Sequence, residues 1–518
     1  MRWQHKAAFA TLGGVLSYAV FEWGGVLRSD QYYYLLALGL LAMGFSLARA
    51  RHPWAPAPSR VVRWCLALLP AYVLMQVVPL PVALVRVLSP ARAESLAALA
   101  RIGPPVHFAS LSVSPAATFQ RFLLVCGYVV IFLLVRELTW RFTAMPQSRR
   151  PGVEPGFSPA RAALPAKLGQ VPGGATTSET GWLAMGPIVV IGALEAALGL
   201  CQNFGGGVDQ VRWGTYVNHN HYAGFLEMAL PFAVMYPVAL WRRPRPRGHL
   251  TMAPALAACG VWALAGLIFV AIIYSYSRMG FIATMCSFVV MGTLALGTRQ
   301  LSWAVRSRKR RVVTVGLVGT LALAGFVFLP PDKLIGRFAQ LVSIGEDGGR
   351  AQLWAETVPL IKAYPVFGCG LGGYETAFLR FKVTYPLVTD DFAHNDYVQL
   401  LAELGIVGLS IMAALAFSVV RTAVQKAVKS PDPGTRYFAV ACAGALAAIL
   451  VHSLADFNLY IPANAMLLAW IAGMTAGFRN NPFSTADWRL TAEDVAIPVL
   501  QSPIVSQQSS IRNYRRLP

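Results

Sequence analysis

Charge is what this chain has least of. Asp, Glu, Lys and Arg make up 13% of its 518 residues, against roughly 25% in an ordinary soluble domain, so a soluble globular fold is excluded. Acid is scarcer than base, with 23 Asp+Glu against 44 Lys+Arg and a formal net charge of +21. The seven cysteines (65, 126, 201, 259, 286, 369 and 442) include no CxxC and lie mostly in apolar runs. They indicate neither a zinc site nor a disulfide framework and read as small buried hydrophobes. No Gly-Lys pair occurs, so there is no P-loop, and there is no DxD for a metal-bound nucleotide sugar. Any reaction must start from a substrate that is already activated.

What is abundant is apolar length. Hydrophobic residues reach 56%, with a mean hydropathy of +0.52, and runs such as 183–200 and 312–329 are long enough to cross a bilayer. Apolar windows predict about twelve spans: 7–27, 32–48, 61–79, 118–138, 181–201, 219–240, 252–273, 279–297, 312–329, 395–420, 437–454 and 459–478. The expected fold is an all-α polytopic transmembrane helical bundle. Spans one to nine fall in 1–329, a sizeable extracytoplasmic helical loop domain in 330–393, spans ten to twelve in 394–478, and a cytoplasmic tail in 479–518. The basic N-terminus is followed by no small-residue cleavage site, so the first apolar run reads as a retained span.

The surplus of base is a topology signal. With a cytoplasmic N-terminus, segments 1–6, 49–63, 136–167, 242–247, 299–311, 421–436 and the tail hold 31 of the 44 Lys+Arg. The positive-inside rule then places both termini in the cytoplasm, and a nucleic-acid partner is not indicated. Blocks 241–247 and 306–311 read as stop-transfer anchors, with anionic lipid as the other reading. Residues 145–180, rich in Pro and Gly, predict a flexible cytoplasmic loop over 141–180. On the other side, 80–117 contains an amphipathic piece, Val82 to Ile102, expected to lie along the interface.

Chemistry-bearing residues gather at the outer ends of spans. Arg278, in Ser277-Arg-Met-Gly280, opens a span where its charge opposes the helix dipole, so it calls for an anionic partner; a snorkelling arginine is the plainer reading. Arg350 has Trp354 at i+4 on one helical face, with a surface pair to Glu346 as the alternative. His394-Asn395-Asp396-Tyr397 follows Asp390 and Asp391, candidate caps, at the start of a long span. The positive helix end favours a neutral imidazole that accepts a hydroxyl proton, with Tyr397 at i+3 to orient it; an interface anchor is the alternative. His219 and His221 invite a metal reading, yet i and i+2 do not converge on a helix. Asp456, in His452-Ser-Leu-Ala-Asp456, either pairs with an arginine or caps the next helix. Gly368-Cys-Gly-Leu-Gly-Gly373 matches GxGxxG without a βαβ context and reads as a turn, with a backbone approach to phosphate left open. A base beside two arginines at the membrane surface fits transfer chemistry on a lipid-linked diphosphate.

These motifs, in this order, resemble the O-antigen ligase and polymerase superfamily. The resemblance runs from Asn218-His-Asn-His-Tyr-Ala-Gly-Phe-Leu-Glu227 through Ser277–Gly280, Gly349-Arg350 with Trp354, Pro365–Gly372, His394–Tyr397 with Glu403-Leu-Gly405, to His452–Phe457. It implies a bacterial inner-membrane glycosyltransferase acting at the periplasmic face, with an undecaprenyl-diphosphate-linked glycan as donor and a second glycan or lipid A core as acceptor. In that light His394 is the base, Arg278 and Arg350 hold the diphosphate, and Asn395, Tyr397, Trp354, His221 and Asp456 support them. The reaction implied is inverting, with neither metal nor cofactor. Asp456–Asn464 leans towards the polymerase branch, with the ligase as alternative. A lipid-linked sugar flippase is the reading from another class, and Glu195 and Glu227, inside spans, are what favour it.

Overall fold

The computed structural model describes residues 2–48, 54–144, 182–205, 213–241, 252–296, 348–383 and 390–478. The expected span at 312–329, the 141–180 loop beyond residue 144, Glu346 and the tail lie outside them. The helices are α1 (Arg2–Phe21), α2 (Arg28–Ala48), α3 (Arg60–Val77), α4 (Val82–Leu88), α5 (Pro90–Leu99), α6 (Pro115–Ala144), α7 (Gly186–Phe204), α8 (His219–Trp241), α9 (Met252–Tyr274) and α10 (Arg278–Leu296). After them come α11 (Gly348–Ala363), α12 (Tyr374–Phe378), α13 (Asp396–Lys429), α14 (Pro433–His452) and α15 (Pro462–Gly477).

Nine candidate spans of 18 residues or more are apolar enough to cross a membrane among the described residues, while the apolar part of α1 and the 16-residue α15 are shorter. Eleven of the twelve expected spans coincide with described helices. The protein is an all-α polytopic membrane protein whose backbone polar groups are satisfied within helices, as hydrocarbon demands.

The most enclosed helices are α8 and α14, which pack on each other, with α10 also against α14 and α9 against α8. Their small residues allow this: Ala439, Ala441, Ala443 and Ala445 of α14 are buried, and a Cβ on Gly444 would meet Met291 of α10 at 2.6 Å. A second group joins α6 to α15 and α3 to α13. At one end of the bundle, Lys426 of α13 donates to the carbonyls of Thr475 and Phe478, a buried ammonium set on the negative end of α15.

The opposite end carries the connections that matter for function. The amphipathic piece 82–102 holds two short helices, α4 and α5, parted at Ser89. They are framed by a two-residue antiparallel pair, β1 (Leu80–Pro81) with β2 (Phe108–Ala109). Ile102 at 86% and Phe108 at 63% are large apolar residues left exposed in this segment.

Candidate active site

The site is built on a nine-residue turn, 453–461, between α14 and α15. The start of α13 is stapled to this turn. Asp396 N donates to the carbonyls of Ser453 and Asp456 (3.0 and 3.1 Å), and its carboxylate accepts from Ser453 Oγ at 2.7 Å. Asn395 caps α13, its side-chain oxygen accepting from Tyr397 N and Val398 N while its amide donates to Leu454 O. Asn395 therefore fills the capping place expected for Asp390 or Asp391; Asp390 instead pairs with Lys382. These contacts consume the orphan N–H groups at the helix start.

His394 is displaced from the expected first helical turn. It precedes the cap, in the left-handed region at φ 49°, where a non-glycine residue is uncommon and strained. Neighbours hold it there: Gln399 Oε1 accepts from Ala393 N at 2.6 Å and Trp354 Nε1 donates to Ala393 O at 2.8 Å. Its ring meets Phe457 edge-on, 4.9 Å between centroids. The side chain remains 35% exposed, with Nδ1 3.7 Å from Asp456 Oδ1.

Asp456 is fully buried and faces two imidazoles through one oxygen. His221 Nε2 lies 3.4 Å from that same Oδ1. Burial alone would push this carboxyl up, but the histidines outweigh it and hold it well below the usual carboxylate range. The expected alternatives for Asp456, an arginine pair or a helix cap, are thus replaced by a double histidine contact. Tyr397 also departs from its expected role: its hydroxyl donates to Leu450 O at 2.7 Å, so the group that faces the His394 ring is Asp456.

The arginines approach from α10 and α11. Arg350 Nη1 donates to Ala455 O at 3.0 Å, one residue from Asp456, and its other N–H groups make no protein hydrogen bond among the described residues. Arg278 begins α10 directly after Ser277, whose hydroxyl donates to Asn220 Oδ1 at 2.7 Å and accepts from Gly280 N; Asn220 precedes His221. All eight residues singled out in the sequence, His394, Arg278, Arg350, Asn395, Tyr397, Trp354, His221 and Asp456, gather at this end. His219 turns away, its ring 5.4 Å from Trp213.

The glycine turn is closed to phosphate. Every backbone N–H from Gly368 to Tyr374 already has a protein acceptor, three of them on Glu403: Gly370 N on its carbonyl, Gly372 N and Tyr374 N on its carboxylate. Gln399 and Tyr460 donate to that carboxylate as well. Glu403, Gln399 and Tyr460 escaped the sequence reading because nothing local marks a hub. Arg121 escaped too, although a basic residue near the start of an apolar run is the signal that marked Arg278. The two carboxylates that favour a flippase reading are both occupied, Glu195 by Thr215 (2.6 Å) and Glu227 by His452 (3.0 Å).

A buried carboxylate facing a partly exposed histidine, with Arg350 bonded to the neighbouring carbonyl, is the polar centre of this end of the helical bundle. Residues 263–413 match the family model described as O-antigen ligase, which supports the resemblance to the O-antigen ligase and polymerase superfamily over that part of the chain. Arg278, Arg350 and His394 fall inside the matched residues; His221 and Asp456 fall outside them. The match supports a glycan-transferring membrane enzyme of the ligase or polymerase type. No curated protein matches the chain.

Proposed function

We propose that the protein transfers a glycan from an undecaprenyl-diphosphate carrier to an acceptor hydroxyl at the periplasmic face of the bacterial inner membrane. The observation that carries this reading is His394 poised over buried Asp456, one residue from the carbonyl that Arg350 grips. With Nδ1–H turned to Asp456, Nε2 offers a lone pair. It takes the acceptor's hydroxyl proton as that oxygen attacks the anomeric carbon. The bond to the diphosphate breaks, with inversion, and the carrier departs with the electron pair. Arg278 and Arg350 hold the charge that builds on it, guanidinium forks being suited to paired phosphate oxygens. Trp354 and Asn395 fix the backbone on either side of His394.

Asp456–Asn464 favours a polymerase, whose acceptor is a second lipid-linked glycan, over a ligase with a lipid A core acceptor. The test uses purified protein with a lipid-diphosphate oligosaccharide and each acceptor, without nucleotide and with EDTA. Product is expected with wild type and largely lost with Arg350→Ala. Loss of product on chelation, restored by a divalent ion, would sink this mechanism; nucleotide-driven lipid movement without bond formation would favour a flippase.

A further inference from the structure

Behind the 453–461 turn lies a groove that the reaction above does not use. It runs between α3, α6, α13, α14 and α15, encloses about 290 Å³ and is lined almost wholly by aliphatic and aromatic side chains. Along α6 it follows Arg121, Leu124, Tyr128 and Phe132. From the first to the last of these it descends roughly 16 Å, about half of the hydrocarbon core. Its one cation among the described residues is Arg121, near the start of α6, beside Ser453 and Tyr460.

The polar groups around the mouth are already spent, except Arg121. Ser453 Oγ donates to Asp396, Tyr397 OH to Leu450 O and Tyr460 OH to Glu403. Arg121 gives a single hydrogen bond, Nη1 to Tyr460 O at 3.2 Å, and lies over that ring at 5.1 Å. Glu403 is the carboxylate whose charge it feels, and four donor groups besides Arg121 already occupy that carboxylate. An apolar slot of this depth with one guanidinium at its rim is complementary to a long lipid chain ending in a phosphate.

Two cationic centres therefore flank one turn. Ala455 O takes Arg350, Tyr460 O takes Arg121, and along the turn Asp456, which faces His394, falls between these two carbonyls. We propose that the groove holds the lipid chain of the acceptor, with Arg121 on its phosphate, so that two lipid-anchored substrates reach His394 from different sides. This assignment rests on the transfer reading above. The donor's diphosphate is already placed on Arg278 and Arg350. The groove is lined at this end by Tyr397 and Ser453, three positions along the chain from His394 and Asp456, which would bring the head of its occupant towards the same centre.

The test uses the full chain in nanodiscs and a photoreactive polyprenyl phosphate as probe. Label is expected on α6, α13 and α15. Ala416→Trp, which fills the groove wall, and Arg121→Gln, which removes charge at nearly constant volume, should each cut labelling. Each should also raise the KM for a lipid-linked acceptor with the donor KM unchanged, Arg121→Gln by about tenfold, the worth of one charged hydrogen bond. Unchanged labelling in both variants, a rise in donor KM instead, or displacement of the probe by excess phosphatidylglycerol would each overturn the assignment. Labelling needs no turnover, so the two readings fail separately. Variant-sensitive labelling without any wild-type transfer leaves a lipid site but ends the acceptor role and the transferase reading together. Intact transfer with insensitive labelling ends the groove alone.

Discussion

Asp456 decides how the residue-scale chemistry responds to acid. Its carboxyl lies well below the ordinary range because two histidines outweigh its burial, so it stays ionised wherever the enzyme works. Its stabilising contribution is present above about pH 4, the ordinary value, and is lost only as pH falls towards the lowered native one. A loss of transfer on mild acidification is therefore not a loss of the Asp456 charge; an imidazole that already carries a proton cannot accept another. His394→Ala should cost about 10² to 10⁴ in turnover, with donor affinity little changed. Asp456→Asn removes a negative charge beside the ring, so its acid limb in kcat/KM should move to lower pH while the plateau falls. A variant with the wild-type limb and plateau would reduce Asp456 to a packing residue.

Among the elements, α13 departs furthest from its expected form. The apolar pattern reads as one uninterrupted span, 395–420, and the helix runs to Lys429 with a break at Gly405 (φ 60°, ψ −170°), backbone that only glycine adopts readily. The break frees carbonyls that other elements need: Ala402 O accepts from Cys369 N, Glu403 O from Gly370 N, and Leu404 O from Tyr72 OH at 2.6 Å. Ile406 N and Val407 N turn to Pro365 O and Val366 O. A Cβ at 405 would stand 2.3 Å from Val366 O. Gly405→Ala should destabilise the protein by about 1–3 kcal/mol from backbone strain alone, seen as a lower Tm and a loss of transfer. A wild-type Tm would show that the break is incidental. Span existence was legible because hydrocarbon imposes a long apolar run. His394 and Arg278 drew attention because polar residues stand out at the ends of such runs, and Arg350 because it opens a helix of the loop domain with Trp354 at i+4. The break, the Glu403 hub and the Asp456 contacts were not, because each depends on partners dozens to hundreds of positions away.

The molecule as a whole has two unlike ends, and the reading of function requires the turn-bearing one to face the periplasm. The 31 of 44 basic residues assigned to cytoplasmic segments predict that orientation. In a Cys-free background, Arg380→Cys, half exposed beside Glu94 near the site, should react with an impermeant maleimide in intact cells. Val428→Cys, exposed near the far end of α13, should react only after permeabilisation. The reverse pattern would invert the molecule and remove the site from its lipid-linked glycan.

The left-handed backbone at position 394 has a consequence for lineages as well as for catalysis. Only a few residue types besides glycine occupy that region at modest cost, asparagine, aspartate and histidine foremost. Replacement of the histidine by most others burdens the fold as well as the chemistry, whereas glycine or asparagine spares the fold and removes the base. A descendant that has abandoned transfer but kept its architecture is thus expected to carry Gly or Asn there. For the same reason His394→Gly is the cleaner vacancy for returning activity with free imidazole.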